Sequence, residues 1–141
     1  MTADERERLV AVAHAHATAE GEGDLEATMA TLDDDPVYEL MPMGRVLRGR
    51  DAARRYYEHF FATCRPRVRG YELRSEWVTD EGVGQEYTLY LRERDGSTRR
   101  HDIIGILTFG TGGKLSGERI YASDDLIETM LGPLLHEAVP V

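Results

Sequence analysis

The spacing of apolar residues divides the chain into a helical first half and a strand-rich second half. In the first half, apolar residues recur every three or four positions, which is the period of an amphipathic helix. Helices are predicted at residues 3–20, at residues 25–32 and from Arg50 to Cys64. His16 falls on the apolar stripe of the first helix, and Tyr57 falls on that of the third.

A different pattern, the alternation of apolar and polar residues, predicts the strands, because successive side chains point to opposite faces of a sheet. The predicted strands are Val37–Met41, Tyr71–Thr79, Val83–Glu93, Arg99–Phe109 and Leu115–Ser123. Asp33–Pro36 is predicted as a turn, and a short last helix is predicted at Asp125–Leu131. Helices followed by antiparallel strands are typical of an α+β fold in which helices pack on one face of a bent sheet.

The length and charge of the chain limit its organisation and its partners. With 141 residues and no repeat or linker, the chain is expected to form one domain, residues 1–141. A domain of this size buries roughly two-thirds of the surface that its unfolded chain exposes. The net charge of -9 argues against nucleic acid and against an anionic membrane surface as partners.

The composition also bears on location and on metal binding. Cys64 is the only cysteine, so there is no internal disulfide and no multi-cysteine metal site. No apolar run approaches the ~20 residues of a membrane helix, and the acidic first residues do not resemble a signal peptide. A cytoplasmic protein is therefore expected. No metal site is expected, because only two histidines are candidate ligands and three would have to converge.

Several short motifs of this sequence resemble those of a known group of proteins. They are Gly23-Asp24-Leu25, Gly49-Arg50-Asp51-Ala52-Ala53, Gly113-Lys114-Leu115, Gly117-Glu118-Arg119-Ile120-Tyr121 and Met130-Leu131-Gly132. With this order of elements, the chain resembles the nuclear-transport-factor-2-like superfamily, and within it the SnoaL-like polyketide cyclases, over about residues 5–132. The resemblance implies a cone-shaped, mostly antiparallel sheet wrapped around helices and enclosing an apolar pocket. It also implies a homodimer that pairs through the sheet.

Ketosteroid isomerases of this fold imply one set of site positions. The resemblance places their catalytic base at Leu40, their oxyanion tyrosine at His16, its partner tyrosine at Tyr57 and their second oxyanion acid at Gly105. Because leucine cannot act as a base, steroid isomerisation by that route is not expected.

Limonene-epoxide hydrolases and SnoaL-like cyclases imply a second position, an aspartate two residues after the tyrosine of the closing motif. Ser123 occupies that position here, and Asp124 comes one residue later. A shift of one residue turns a side chain to the other face of a strand. Asp124 is therefore a candidate catalytic acid only if the strand bulges or ends before it.

The residues predicted to face the pocket combine histidines with hydroxyl and aromatic groups. They are His16, Tyr38, Tyr57, Trp77, Tyr87, His101, Arg119, Tyr121 and Ser123. The predicted catalytic arrangement has His16 hydrogen-bonded to Tyr57, with His101 across the pocket, since histidine exchanges protons near neutral pH.

Each of the charged positions in this set has a structural alternative. His16 is alternatively a core histidine satisfied by a tyrosine or a backbone carbonyl, and His101 a strand-edge residue near solvent. Arg119 either binds an acidic substrate group or pairs with a buried carboxylate, because an unpaired inward arginine is costly. Glu39 and Glu86 are predicted on the opposite face, at the surface or in a dimer interface.

Two classes of function follow from these positions. The first is a cofactor-independent enzyme of the cyclase, isomerase or hydrolase type, which moves protons on an apolar, oxygenated small molecule such as a polyketide. The second is a non-catalytic module of the same fold that binds a ligand or a protein, which the missing acids at Leu40 and Ser123 favour. Epoxide hydrolysis is a lesser version of the first, with at most Asp124 as its acid.

Overall fold

A computed structural model describes all residues, 1–141, and contains four α-helices and one sheet of seven strands. The helices are α1 (Ala3–Glu22), α2 (Leu25–Ala30), α3 (Arg50–His59) and α4 (Asp124–Leu131). The strands are β1 (Leu32–Met41), β2 (Arg45–Arg48), β3 (Val68–Val78), β4 (Gly82–Arg92), β5 (Thr98–Phe109), β6 (Leu115–Tyr121) and β7 (Val139–Pro140). No helix is both long and apolar enough to span a membrane.

The sheet has the order β3-β4-β5-β6-β1-β2-β7, and every neighbouring pair is antiparallel except β1 and β6. The α+β fold predicted from the sequence, with a curved, mostly antiparallel sheet against helices, is confirmed. Its core joins α3 to the inner face of the sheet through buried side chains such as Tyr57, Leu40 and Ile103.

Side chains fix where the helices begin. Thr2 and Glu5 form a reciprocal capping box at α1, and Asp24 accepts a hydrogen bond from the backbone of Ala27 at α2. Ser123 caps α4 in the same way. Such caps satisfy backbone N–H groups that have no partner within the helix.

The structure differs from the sequence prediction around Asp33–Pro36, which lies inside β1 and not in a turn. The pairing of β1 with β6 is irregular between Leu32 and Val37, and this irregularity accommodates the missing N–H of Pro36. Strand β2 was not predicted, because its two central residues, Val46 and Leu47, are both buried and give no alternation.

Two β-bulges invert the faces of β3 and β6 relative to a simple alternation. On β3, Leu73 pairs with Tyr87 but Ser75 pairs with Glu86, so one extra residue is inserted. On β6, the register with β5 shifts in the same way around Ser116. Because a single inserted residue exchanges the two faces of a strand, every side chain beyond each bulge points opposite to the sequence prediction.

Candidate functional site

A cavity of about 720 Å³ lies between α1 and the inner face of strands β3 to β6. Its walls are mainly apolar and aromatic, and they include Phe60, Leu89, Ile103, Leu107 and Met130. The exposed residues of its lining, such as Thr18 on α1 and Tyr71 on β3, show that the cavity opens between these two elements. A cavity of this size and character is suited to a small organic molecule.

His16 lies at the buried end of the cavity within a chain of hydrogen bonds. The hydroxyl of Thr31 donates to the carbonyl of Thr28 at 2.7 Å, so its oxygen accepts from Nδ1 of His16 at 2.7 Å. Nε2 of His16 lies 3.1 Å from the Tyr57 hydroxyl, which forms the next hydrogen bond of the chain. The Tyr38 hydroxyl in turn lies 2.7 Å from that of Tyr57.

Burial keeps these tyrosines in their hydroxyl form. Burial raises the pKa values of Tyr38 and Tyr57 well above the ordinary value, and the same cause acts on Tyr87 in the cavity wall. A phenol with a raised pKa remains a hydrogen-bond donor at neutral pH. The tyrosines therefore hold and orient His16 but do not act as bases.

Two carboxyl groups meet His16 at the floor of the cavity. Oε2 of Glu20, one helical turn after His16, lies 3.2 Å from Nε2 of His16. One carboxyl oxygen of Glu20, one of Glu118 and a ring nitrogen of His16 lie within 4.8 Å of one another. Glu118 belongs to none of the salt bridges of the protein.

The surroundings of Glu118 favour its protonated form. Burial and the nearby charge of Glu20 together raise the pKa of Glu118 well above its ordinary value. Gly105 makes room for this carboxyl group, since a Cβ atom there would lie 2.5 Å from Oε1 of Glu118. Two close carboxyl groups that cannot both ionise share a proton, as in many acid–base catalysts.

A second polar group lies at the open side of the cavity. Gln85 donates from Nε2 to Oε2 of Glu76 at 2.7 Å, and Nε2 of His14 lies 2.9 Å from Oε1 of Glu76. These contacts lower the pKa of Glu76 below its ordinary value. Glu76 is therefore ionised at neutral pH, whereas burial and the charge of Glu20 favour the protonated form of Glu118.

Pairing across the strands aligns these groups in one row. Glu76 on β3 pairs with Gln85 on β4, and Gln85 pairs with Gly105 on β5, over which the Glu118 carboxyl lies. We refer to Glu76, Gln85 and Glu118 as the polar row. With strands about 4.8 Å apart, the ends of the polar row are separated by roughly 10 Å.

The structure brings some of the predicted site residues to the cavity. His16 and Tyr87 line it, Tyr57 and Tyr38 lie behind His16, and Gly105 lies beneath Glu118. The predicted hydrogen bond between Tyr57 and His16 is present.

Other predicted residues lie elsewhere. His101 is buried on the inner face of β5 but does not line the cavity, so it does not face His16 across it. Burial lowers the pKa of His101, and the positive charge of Arg99 lowers it further. The negative charge of Glu93 opposes this shift. Leu40 is a core residue that does not line the cavity.

The bulges explain the predictions that are wrong. Beyond the bulge on β3, Trp77 points outward and Glu76 points inward. Beyond the bulge on β6, Glu118 faces the cavity, whereas Arg119 and Tyr121 lie on the outer face and cannot bind a ligand there.

The end of β6 accounts for the last two positions. The strand ends at Tyr121, and Ser123 is the N-cap of α4. Asp124 is exposed in the first turn of that helix, where an acidic side chain is favoured by the helix dipole. Neither Ser123 nor Asp124 lines the cavity.

Sequence reasoning missed Glu20, Glu76 and Glu118. For Glu20 the signal was its spacing of four from His16 on a helix. For Glu118 the signal was Ile120, two residues later on β6. Ile120 is apolar and buried, so the face of the strand that it shares with Glu118 points inward.

The same cluster has the number of ligands that a metal ion requires. His16, Glu20 and Glu118 supply one nitrogen and two oxygens, whereas the sequence offered only two histidines. Nε2 of His16 is engaged by Tyr57 in this arrangement. The positions of His16, Glu20 and Glu118 therefore fit either a proton shared by the two carboxyl groups or a cation bound by all three side chains.

Comparisons with known proteins identify the family and the fold. A family model described as the SnoaL-like domain matches residues 13–117. No curated protein sequence matches the chain significantly. Among solved structures, an NTF2-like protein of unknown function from Burkholderia xenovorans LB400 is 25% identical, with a TM-score of 0.64 over 84% of each chain.

Two further structures are similar in fold. SalBIII, an epoxide hydrolase/cyclase-like enzyme in pyran ring formation in the polyether salinomycin, is 18% identical, with a TM-score of 0.69 over 86% of this chain and 95% of that one. A candidate polyketide cyclase from Xanthomonas campestris pv. campestris is 20% identical, with a TM-score of 0.67 over 89% of this chain and 98% of that one. The family match covers most of the sequence, and the NTF2-like fold agrees with it, so this chain belongs to the SnoaL-like domain family.

Proposed function

We propose that this protein is an enzyme that moves a proton on an apolar, oxygenated small molecule, such as a polyketide, without a bound cofactor. The observation that carries the proposal is the pair of carboxyl groups, Glu20 and Glu118, beside His16 on the floor of an apolar cavity. Both carboxyl groups are half-buried, and placing a carboxyl group there without a lysine or arginine partner is unfavourable for the fold. Groups of this kind are concentrated at functional sites.

The two carboxyl groups have complementary roles in this proposal. Glu20, as the carboxylate, removes a proton from the carbon next to a substrate carbonyl. Glu118, which holds its proton, donates a hydrogen bond to the carbonyl oxygen as negative charge develops there. His16, held by Thr31 and Tyr57, lies 3.2 Å from the carboxyl group of Glu20 and so forms the wall against which the base rests. The enolate formed in this way can attack a second carbonyl carbon of the substrate to close a ring, or it can take the proton back from Glu20 at another carbon to give an isomer.

The cavity supports a flat substrate of two or three rings. Its volume of about 720 Å³ lies within the usual range for small-molecule sites. Aromatic rings form part of the wall, and those of Tyr71 and Tyr87 have centroids 5.4 Å apart. Such walls favour aromatic or polycyclic ligands.

Deuterium exchange tests the proposal directly. Aryl ketones of two and three rings are incubated in D₂O, and loss of the proton next to the carbonyl is followed by NMR. The wild type is expected to exceed the buffer rate, and Glu20→Gln is expected to lose about a hundredfold, a usual effect of removing a general base. Treatment with a chelator should leave the rate unchanged.

A matched variant controls for the loss of charge. Glu86→Gln changes an exposed carboxylate on the outer face of β4, so it should retain the wild-type rate. Exchange at the buffer rate in the wild type, or equal rates in Glu20→Gln and the wild type, would overturn the proposal.

A non-catalytic, ligand-binding module is the second candidate. This candidate is favoured because Leu40 and Ser123 stand at positions where related enzymes carry acids. This candidate expects ketones to bind in the cavity without any exchange. Epoxide hydrolysis is a lesser alternative, in which Glu118 protonates the epoxide oxygen and Glu20 activates a water molecule; the likeness to SalBIII supports it.

We also propose that the protein is a cytoplasmic homodimer that pairs through the outer face of the sheet. Exposed apolar side chains on that face, including Trp77, Ile104 and Tyr121, support this arrangement.

A further inference from the structure

We infer that the substrate of this cavity carries a protonated amine, which binds at the Glu76 end of the polar row. The inference rests on the proposed function, because it concerns the substrate of the same cavity. It assigns recognition to one end of the row and proton transfer to the other.

The charges of the lining favour a cationic ligand over an anionic one. Three carboxyl groups line the cavity, those of Glu20, Glu76 and Glu118. Arg65 is the only lysine or arginine in the lining, and its Nε and Nη2 atoms both donate to the carbonyl oxygen of Gly21, at 3.1 and 2.9 Å. Arg65 is exposed and holds the carbonyl of Gly21, so an anionic ligand would meet three carboxyl groups and only one guanidinium.

Glu76 is held in position to accept from a ligand. Gln85 fixes one of its oxygens at 2.7 Å, and His14 fixes the other at 2.9 Å. Each carboxylate oxygen has a second lone pair, so Glu76 can still accept hydrogen bonds from an ammonium group. Its side chain is 27% exposed, and it lies where the cavity opens.

The neighbouring wall adds a surface that attracts cations. Tyr87 follows Gln85 by two positions on the inner face of β4, and its ring packs against that of Tyr71. The faces of aromatic rings attract ammonium groups. Glu76 and these rings therefore provide both a carboxylate and aromatic faces for one cationic substituent.

The length of the polar row separates the two ends of such a substrate. The strands that carry Glu76 and Gly105 are two strand spacings, or roughly 10 Å, apart, and the carboxyl of Glu118 lies over Gly105. A molecule of two fused rings with a short aminoalkyl substituent fits this separation. Its amine would bind near the opening, and its reacting carbon would lie beside Glu20.

Three probes of one skeleton test the inference. Naphthylmethylamine, naphthylmethanol and naphthylacetate differ mainly in charge, and their dissociation constants are measured at neutral pH by titration calorimetry. The amine is expected to bind at least about tenfold more tightly than the alcohol, since hydrogen bonds to charged groups exceed neutral ones by about this factor. Naphthylacetate should bind most weakly.

Two variants assign the preference to Glu76. Glu76→Gln should weaken binding of the amine by about tenfold and leave binding of the alcohol unchanged. Glu86→Gln, on the outer face of β4, should retain the preference of the wild type.

Every other result overturns the inference. Equal affinity for amine and alcohol, tighter binding of the acetate, or no binding of any probe would contradict it. Equal weakening of all probes by Glu76→Gln would show that Glu76 only joins α1 to β3 through His14. These failures are distinguishable from failure of the proposed function, because the latter is measured as ketone exchange, which depends on Glu20 and not on Glu76.

Discussion

At the scale of single residues, Glu118 links the chemistry of the cavity to the stability of the fold. Because burial and Glu20 raise the pKa of Glu118, the folded protein binds its proton more tightly than the unfolded chain does. Its contribution to stability is complete below the unfolded value of about 4.5 and is lost as the pH rises toward the higher folded value. Each pKa unit corresponds to about 1.4 kcal/mol.

We expect Glu118→Gln to remove this dependence, because an amide of similar shape has no proton to lose. Urea unfolding of the wild type between pH 4 and pH 8 should give a free energy of unfolding that falls as the pH rises. The free energy of unfolding of Glu118→Gln should rise relative to that of the wild type as the pH increases over that range. A constant difference across the range would show that the pKa of Glu118 is the same in the folded protein and in the unfolded chain.

Gly105 is the second residue whose role can be tested alone. A Cβ atom at this position would lie 2.5 Å from Oε1 of Glu118, so Gly105→Ala must displace the carboxyl group. We expect the ketone exchange rate to fall about tenfold, a usual consequence of misplacing a catalytic group, while the thermal unfolding temperature changes little. Gly112→Ala is the control, because nothing lies within 4 Å of a Cβ atom there. Equal exchange rates in both variants would remove Glu118 from the mechanism.

At the scale of elements, periodicity predicted most helices and strands, and alternation predicted the buried faces of β4 and β5 but not those of β3 and β6 beyond their bulges. The stripe of α1 correctly brought His16 inward, because helical spacing continues without interruption to Ala19. In β3 and β6 one inserted residue reversed the faces, and nothing in the local sequence marks such an insertion. Glu76 and Glu118 are inward for this reason, and Trp77 and Arg119 are outward.

The bulge on β3 also determines how Trp77 packs, and this gives a test at the level of elements. Trp77 pairs with Gly84, and a Cβ atom at Gly84 would overlap the indole ring. We expect Gly84→Ala to displace the indole, to lower the free energy of unfolding by about 1 to 3 kcal/mol, and to shift the fluorescence of the only tryptophan. In Gly112→Ala both properties should match the wild type. Unchanged fluorescence in Gly84→Ala would mean that the indole does not cover Gly84.

At the scale of the whole molecule, the fold could be predicted and the site only in part. The order of elements and the motifs identified the fold, and helical spacing placed His16 with Tyr57. The carboxyl group of Glu118 meets Glu20 only because β6 crosses below α1 in the folded protein. Contacts between distant segments depend on strand register, which single-residue patterns do not specify.

The outer face of the sheet provides the test at this scale. Tyr121 pairs with Ile104, and Trp77 lies over Gly84 beside Ile106, so their side chains lie close together on adjacent strands, with Glu86 and Arg119 beside them. Trp77, Ile104 and Tyr121 are each 38–40% exposed, an unusual concentration for the surface of a monomer. Burying this patch against a second copy would remove it from water.

We therefore expect sedimentation analysis to give the mass of a dimer for the wild type and of a monomer for Ile104→Glu. A glutamate in the centre of the patch would place two like charges in a desolvated interface, which costs more than a stable dimer of ordinary size can offset. Thr111→Glu adds the same charge in an exposed turn and should remain dimeric. Because the cavity lies on the other face of the sheet, monomeric Ile104→Glu should retain ketone exchange. A monomeric wild type would exclude pairing through the sheet, whereas loss of exchange in a folded monomer would show that pairing shapes the cavity.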